Sequence, residues 1–337
     1  MAGLLAHSAG LSSEQAEALA RAGVTSVCDA LLVASVDSTA TRAPSALGVV
    51  HADALKRLVE HCAPALVPAD VLWVRRKAKA CMVRTCTELD ALMGGGVMTG
   101  EVLELAGRSG SGKTWLCLAT CAHVALELRA HALFVDTGAN FCARAFLEEC
   151  SRVARALDLP DEQVAPALRR VRVVRVSDAD EVAALLEHVR AARAAKADAW
   201  YSRLALVVVD SPALALMPLL ARGNAGHAWI VTISRALRAL THCNLAVVVT
   251  NHLVGAEVAL REGLIEDSAR LALGSSWRAV SDMRVYLDAA RPSGATLAAA
   301  PTAPCTAWLE RSHRSGPREG SVRRAVAARR APASDCQ

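Results

Sequence analysis

One eight-residue segment constrains the fold of this chain more than any other. It consists, in order, of Gly107, Arg108, Ser109, Gly110, Ser111, Gly112, Lys113 and Thr114. The apolar run at residues 102–106 predicts a buried strand before it, and the apolar spacing of residues 113–130 predicts a helix after it. A G-x-x-x-x-G-K-T segment between a strand and a helix is typical of a loop that binds nucleotide phosphates.

The residue types in this loop suit phosphate binding. Glycines permit backbone conformations that turn N–H groups toward phosphate oxygens, and the helix that follows presents its positive end to the same anion. Lys113 is expected at the β and γ phosphates, and the Thr114 hydroxyl is expected to bind Mg²⁺. We therefore predict that all eight residues bind ATP, with ATP and Mg²⁺ as cofactors. A glycine-rich loop without function is the alternative, and the flanking strand and helix disfavour it.

A second signal is an apolar run that ends in a carboxylate, Leu204–Asp210. In a parallel sheet the carboxyl ends of the strands meet at one edge, where ligands bind. Asp210 is therefore predicted to hold Mg²⁺ together with Thr114, through a water molecule. Many strands end in aspartate, so this pattern alone is a weak signal. The phosphate loop earlier in the chain is what makes Asp210 a candidate for metal binding.

The next predicted strand, residues 245–250, ends in polar side chains at the same edge. Thr250, Asn251 and His252 are candidates for sensing the γ-phosphate. Asn251 and His252 are the residues that we predict for this role, while no catalytic residue is assigned. An ordinary capped strand end is the alternative.

Strands and helices alternate from residue 89 onward, which predicts an α/β fold with a mostly parallel central sheet. The predicted strands are residues 102–106, 132–136, 171–176, 204–210, 245–250, 283–288 and 306–310. The predicted helices are residues 113–130, 141–157, 180–196 and 228–241.

The regions outside the core differ in composition. Residues 1–65 predict a small helical domain of helix-hairpin-helix type, with a helix starting at Ser12 or Ser13. Such a unit binds DNA backbone or packs on a partner, and both remain open. Residues 66–88 are predicted to be a linker, residues 89–312 the core, and residues 313–337 an Arg-rich disordered tail. A nucleic-acid contact or a nuclear-import signal is the alternative for the tail.

Composition adds few constraints. The net charge of +5 does not by itself imply nucleic acid. The eleven cysteines form no C-x-x-C pair, and their odd number favours reduced thiols. Cys117 and Cys121 are predicted to pack in the core rather than to bind a metal with His123. No secretory signal or membrane span is predicted.

Several segments resemble the RecA-like strand-exchange recombinases of eukaryotes and their paralogues. Those similar to the family lie at residues 89–101, 134–137, 206–211 and 248–252, and the resemblance covers residues 89–290. Residues 210–211, 218–220, 250–252 and 272–277 are most similar to the delta, or D, paralogue group. The resemblance implies a RecA-like P-loop ATPase core with a mostly parallel central sheet, preceded by a small N-terminal helical domain.

The chain departs from active recombinases at two positions. Where they carry the glutamate that activates the attacking water, this chain has Gly138, and where they usually carry glutamine, it has His252. ATP binding is expected to survive both changes, and fast hydrolysis is not. Residues 253–276 correspond to a DNA-binding loop of that family. Here they contain four acidic residues and two arginines, −4 + 2 = −2, which disfavours contact with DNA phosphates.

The resemblance implies a protein of homologous recombination repair of DNA double-strand breaks. It would assemble with other recombinase paralogues in the nucleus and help to load or stabilise the main recombinase on single-stranded DNA. Single-stranded or branched DNA would be a further partner, no membrane is expected, and any DNA-dependent ATPase activity would be weak. The alternative is an autonomous DNA-stimulated recombinase, which would need another base such as Glu101 or Glu104. A small-molecule kinase is disfavoured, because no Arg-rich lid is inserted in the core.

Overall fold

The computed structural model describes residues 67–195, 198–220, 224–254, 270–274, 277–289, 305–312 and 324–326, together with Ser12, Glu14 and Glu17. Internal contacts divide the chain into two units, residues 1–74 and 75–337. In the first unit Glu14 and Glu17 are helical, as expected for a helix starting at Ser12 or Ser13. The rest of the predicted N-terminal helical domain lies outside the described residues.

The helices and strands are numbered in chain order within the described residues. The helices are α1 (Ala69–Lys79), α2 (Thr87–Met93), α3 (Lys113–Leu126), α4 (Ala143–Ala156), α5 (Val164–Leu168), α6 (Ala179–Ala195), α7 (Ala199–Ser202), α8 (Pro212–Leu220) and α9 (Asn224–His242), with a 3-10 turn at Asp161–Gln163. The strands are β1 (Met82–Val83), β2 (Val97–Met98), β3 (Val102–Gly107), β4 (His131–Asp136), β5 (Val171–Arg175), β6 (Leu204–Asp210), β7 (Ala246–Val254), β8 (Arg270–Leu271), β9 (Met283–Ala289), β10 (Cys305–Ser312) and β11 (Arg324–Val326).

The central sheet has the strand order β11-β10-β9-β3-β7-β6-β4-β5, and β8 pairs with β7. The six strands from β9 to β5 are parallel, while β10 and β11 add antiparallel strands at one edge. The α/β fold with a mostly parallel sheet is therefore confirmed. Strands β3, β7 and β6 are direct neighbours, so the phosphate loop, His252 and Asp210 follow adjacent strands.

Helices cover both faces of the sheet. One face packs against α3 and α4 through residues such as Phe134 and Val208, and the other packs against α6 and α9 through Val135 and Val209. Successive residues of a strand point to opposite faces, so a strand buried on both faces needs apolar residues at nearly every position. This is why most positions of the inner strands are Val, Leu or another apolar residue.

Several segments differ from the expectations. The predicted linker contains α1 and β1, because residues 69–79 are mostly strong helix formers with Asp70 in the first turn. The predicted disordered tail contains β11, whose backbone pairs with the free edge of β10. Helix α8 was not predicted, since Pro218 lies inside it. The predicted helix at residues 113–130 ends at Leu126.

Candidate nucleotide-binding site

The predicted phosphate loop connects a strand to a helix. Strand β3 ends at Gly107, and α3 begins at Lys113 with Gly112 as its N-cap. Gly110 has φ 79° and Gly112 has φ 90°, backbone conformations that favour glycine. At Gly107 the limit is space, since an added Cβ would lie 2.4 Å from the carbonyl oxygen of Leu287 and 2.5 Å from Ser111 Oγ. The glycines therefore fix the shape of the loop.

Lys113 is buried inside this loop. Its Nζ donates hydrogen bonds to the carbonyl oxygens of Gly107 at 2.8 Å and of Arg108 at 2.7 Å. A buried ammonium group needs such acceptors to offset its lost hydration. The ammonium is thus held where a phosphate anion would be a stronger partner than two neutral carbonyls.

Asp210 and Thr114 meet at the carboxyl edge of the sheet, as predicted from their places in the sequence. The Thr114 hydroxyl donates to Asp210 Oδ2 at 2.6 Å, and the Thr250 hydroxyl donates to Asp210 Oδ1 at 2.5 Å. Hydroxyl and carboxylate oxygens are ligands that suit Mg²⁺, which usually keeps several waters. Because both carboxylate oxygens already accept a hydroxyl, the arrangement fits a carboxylate that acts through a metal-bound water.

Asn251 and His252 point to different places. The Asn251 amide group donates to Glu104 Oε1 at 2.8 Å, and its Oδ1 accepts from the backbone N–H of His252 at 2.9 Å. Both ends of this amide are therefore occupied within the sheet. The predicted contact of Asn251 with the γ-phosphate is not supported by this geometry, and Asn251 instead fixes the backbone of His252.

His252 lies beside the loop, paired in register with Gly107. Burial lowers the pKa of His252, the positive charge of Lys113 lowers it further, and Asp210 opposes the shift. Its Nε2 is buried and has no hydrogen-bond partner within the described residues. In the tautomer that carries the proton on Nε2, the neutral ring can donate one hydrogen bond from this atom to a phosphate oxygen.

Gly138 occupies a crowded turn. The Asp136 carboxylate accepts the backbone N–H groups of Gly138, Asn140 and Phe141 at 3.3, 3.0 and 3.1 Å. A Cβ at Gly138 would lie 2.6 Å from Asn140 Nδ2 and 2.7 Å from a methyl group of Leu214. These two side chains fill the space beside Gly138, which itself has no side chain that could act as a general base.

Neither alternative base lies at the phosphate loop. Glu104 is fully buried in the sheet, and its Oε2 accepts from Arg284 Nε at 2.7 Å and from Ser281 Oγ at 2.9 Å. Glu101 Oε2 accepts from the backbone N–H of Met98 at 2.9 Å, just before β3 begins. A six-residue strand spans roughly 20 Å, so Glu101 lies at the far end of β3 from the loop.

The sequence did not reveal how the ends of β4 and β6 are joined. The Thr137 hydroxyl donates to the carbonyl oxygen of Ser211 at 2.8 Å and accepts from its backbone N–H at 2.9 Å. The peptide bond between Asp210 and Ser211 is cis. The available signal for Thr137 was its place directly after a predicted strand, which is similar to the place of Thr250 at the end of its own predicted strand.

Other predictions concern the surroundings of the site. Cys117 and Cys121 are buried, and burial raises both pKa values, as expected for core thiols. Within the described part of the chain no group of three or more His, Cys, Asp or Glu side chains could hold a metal ion, and no helix is long and apolar enough to cross a membrane. In the acidic segment, residues 253–254 end β7 and residues 270–274 include β8, whereas residues 255–269 and 275–276 lie outside the description.

Comparison with known proteins gives consistent matches. Residues 75–311 match the Rad51 family. The chain is 31% identical to "DNA repair protein RAD51 homolog 4" of Bos taurus over 289 residues, which cover 85% of this chain and 84% of that protein. The Mus musculus protein of the same name is 30% identical over the same shares. "DNA repair protein RAD51" of Saccharomyces cerevisiae is 34% identical over 61% of this chain and 52% of its own length.

Proposed function

The chain belongs to the Rad51 family, and we propose that it is an ATP-binding paralogue that acts in homologous recombination repair of DNA double-strand breaks. It assembles with other recombinase paralogues in the nucleus and helps to load or stabilise the main recombinase on single-stranded DNA. The similarity to the two mammalian relatives extends over most of both chains, which supports a shared role rather than a shared nucleotide-binding domain alone.

The observation that carries the proposal is the buried ammonium of Lys113 within the loop, next to the paired oxygens of Thr114 and Asp210. With ATP bound, the eight loop residues surround the phosphates and Lys113 exchanges its two carbonyl partners for phosphate oxygens. Mg²⁺ would shield the charge of the phosphates, held by Thr114 and, through water, by Asp210. His252 donates its ring N–H toward the γ-phosphate.

Bound ATP acts here mainly by stabilising contacts between subunits, rather than by supplying energy through its hydrolysis. Position 138 has no side chain, and the carboxylates of Glu101 and Glu104 are hydrogen-bonded elsewhere. None of these three positions therefore supplies a base that could activate a water molecule. Slow hydrolysis keeps the nucleotide in place, which favours stable contacts between subunits. The small N-terminal helical domain and the ATP-binding core would then engage different paralogues.

Calorimetric titration with Mg·ATP tests nucleotide binding. The wild-type chain, alone or in its complex, should release heat on binding, and Lys113→Ala should lose most of it, because the phosphates lose their buried cation. Lys77→Ala removes an exposed lysine of α1 and serves as the matched control. Equal binding by wild type and Lys113→Ala would contradict the proposed site.

Affinity purification from native cells, followed by mass spectrometry, tests the assembly. Other RecA-like paralogues should be recovered with the wild-type chain and fewer with Lys113→Ala. Recovery that is unchanged by Lys113→Ala and by ATP depletion would exclude ATP-dependent assembly. An ATPase assay of the purified chain with single-stranded DNA addresses the autonomous recombinase, which strong stimulation by DNA would favour.

A further inference from the structure

Arginines lie just before three neighbouring parallel strands, on the edge of the sheet opposite the nucleotide site. Arg170 directly precedes β5, Arg203 directly precedes β6, and Arg129 lies two residues before β4, the strand between them. Arg169 extends the row. We call these four residues the basal arginine cluster. Two strand spacings separate β5 from β6, so the cluster is roughly 10 Å wide.

Three of these guanidinium groups donate hydrogen bonds within the protein. Arg203 donates to the carbonyl oxygen of Arg129 at 2.9 Å, and Arg170 donates to that of Ala125 at 2.8 Å. Arg129 donates to Gln163 Oε1 at 3.3 Å. A guanidinium group has five N–H donors, so each arginine keeps donors that these contacts do not use. The side chains are thus partly ordered before any partner arrives, which lowers the entropic cost of binding.

The cluster is crowded with like charge. Burial lowers the pKa of Arg170, and the neighbouring charges of Arg129 and Arg203 lower it further. No residue of the cluster forms an ion pair with a carboxylate within the described residues. Of the nearby acids, Glu127 contacts His123 and Arg84, and Asp198 accepts the backbone N–H of Trp200. An anion that bridged the guanidinium groups would relieve their repulsion.

We propose that the basal arginine cluster binds the phosphodiester backbone of single-stranded DNA. Arginine matches phosphate oxygens by paired hydrogen bonds. The choice of DNA among polyanions rests on the proposed repair function, and the site is separate from the ATP-binding loop.

The surroundings favour a nucleic acid over an acidic protein segment. Protein interfaces are usually anchored by large apolar or aromatic side chains. Within the described residues only two exposed large hydrophobic side chains adjoin the cluster, Val173 on β5 and Leu147, which lines the same groove as Leu168. The loop that corresponds to a DNA-binding loop in active recombinases is acidic here, so a second phosphate-binding surface would supply affinity that this loop does not.

Fluorescence anisotropy with a labelled oligo(dT) tests the proposal on the full-length chain over a range of salt concentrations. The variant Arg129→Gln/Arg169→Gln/Arg203→Gln should bind about tenfold more weakly at low salt. A plot of the logarithm of the association constant against the logarithm of the salt concentration has a negative slope, and its magnitude should decrease by about 2. Three phosphate contacts on a single strand contribute roughly 0.7 each to that magnitude. The matched control, Arg144→Gln/Arg155→Gln/Arg235→Gln, removes three exposed arginines of α4 and α9 and should bind as the wild type does.

Several outcomes would overturn the proposal. Wild-type protein that does not bind oligo(dT), a cluster variant within twofold of wild type, or a control variant that weakens equally would each do so. Displacement of DNA by poly-glutamate at equal charge would assign the surface to an acidic protein instead. If the triple variant fails to fold by circular dichroism, Arg169→Glu alone decides, because this exposed side chain forms no hydrogen bond within the described residues.

The ATP-binding site is measured separately in the same preparations. Calorimetry with Mg·ATP should give the same affinity for the cluster variant and the wild type. Loss of DNA binding with ATP binding intact supports the cluster. A chain that binds DNA through the cluster but does not bind ATP would contradict the proposed nucleotide site and leave the cluster supported.

Discussion

Gly138 is the residue whose replacement tests why hydrolysis should be slow. Its neighbours in space, Asn140 and Leu214, approach with the ends of flexible side chains, so both can move aside for a larger residue. We expect Gly138→Glu to fold and to hydrolyse ATP faster than wild type. A well-placed general base contributes roughly 10²–10⁴-fold, which sets the upper limit of the gain.

The control for this prediction is Gly138→Gln, which has nearly the same shape but no basic carboxylate. Steady-state release of inorganic phosphate, measured with and without single-stranded DNA, compares the three proteins. If the glutamine variant is as fast as the glutamate variant, the missing base is not what limits hydrolysis.

His123 makes stability depend on pH. Burial lowers its pKa from 6.5, while the hydrogen bond with Glu127 opposes the shift. Well above pH 6.5 the side chain is neutral in both the folded and the unfolded chain and contributes nothing to the dependence. As the pH falls below this value, the unfolded chain gains the proton first, so the free energy of unfolding decreases until the folded-state pKa is passed.

Replacement of His123 by glutamine should therefore reduce the loss of stability between pH 7.5 and pH 5.5. Urea unfolding at both pH values measures the loss. His188→Gln, at an exposed position of α6, is the control and should retain the wild-type loss. An unchanged loss in His123→Gln would show that other groups account for the pH dependence.

Single residues of the site were predictable when one strand end or one loop identified them. Thr114 was assigned from the phosphate-loop motif and Asp210 from the end of its strand, and the structure joins their side chains at 2.6 Å. The role of Asn251 was not predictable in this way. Its partner Glu104 lies 147 positions earlier in the chain, and only the register of β3 and β7 shows that the two side chains meet.

At the level of elements, a buried ion pair links the strands β3, β7, β9 and β10. Glu104 accepts hydrogen bonds from Asn251 on β7 and Arg284 on β9, and Arg284 also donates to Glu310 on β10 at 3.0 Å. Removing one partner of a buried pair typically costs about 3–5 kcal/mol, because the other charge stays buried. Glu104→Ala should lower the free energy of unfolding by about this amount.

Denaturant unfolding measures this effect against two comparisons. Glu187→Ala breaks an exposed pair with Arg190 on α6 and should cost at most about 1 kcal/mol. The double variant Glu104→Leu/Arg284→Met removes both charges and should recover much of the loss. The prediction is wrong if Glu104→Ala costs no more than Glu187→Ala.

Strands were easier to predict than short helices and edge strands. The inner strands are buried on both faces, so nearly every position is apolar and the run itself marks the strand. Helix α8 is an equally apolar run of nine residues, and its prolines Pro212 and Pro218 hide its helical character. Strand β11 has only three residues, and its pairing with β10 depends on a distant segment that no local pattern reveals.

At the level of the whole molecule, ligand binding and folding are coupled. A ligand that binds only the folded chain, at 100 times its Kd, stabilises it by about 2.7 kcal/mol. Mg·ATP should therefore raise the Tm of the wild-type chain by several degrees. Lys113→Ala should abolish this rise, because the phosphates lose their cation within the loop.

Differential scanning calorimetry with and without Mg·ATP measures the rise. Lys77→Ala again provides the control, since it removes one positive charge from an exposed position of α1. A rise of equal size in Lys113→Ala would place the nucleotide elsewhere on the protein.

The contact beneath Gly107 has a mechanical consequence. The carbonyl group of Leu287 on β9 occupies the space that a side chain at Gly107 would fill, so the first residue of the loop rests directly on the neighbouring strand. Sliding of β9 along β3 would therefore press the carbonyl group of Leu287 against the backbone of Gly107. A force on the antiparallel edge of the sheet, where β10 pairs with β9, would thus be transmitted to the bound phosphates through the backbone of β9 and Gly107. No side chain is needed for this transmission.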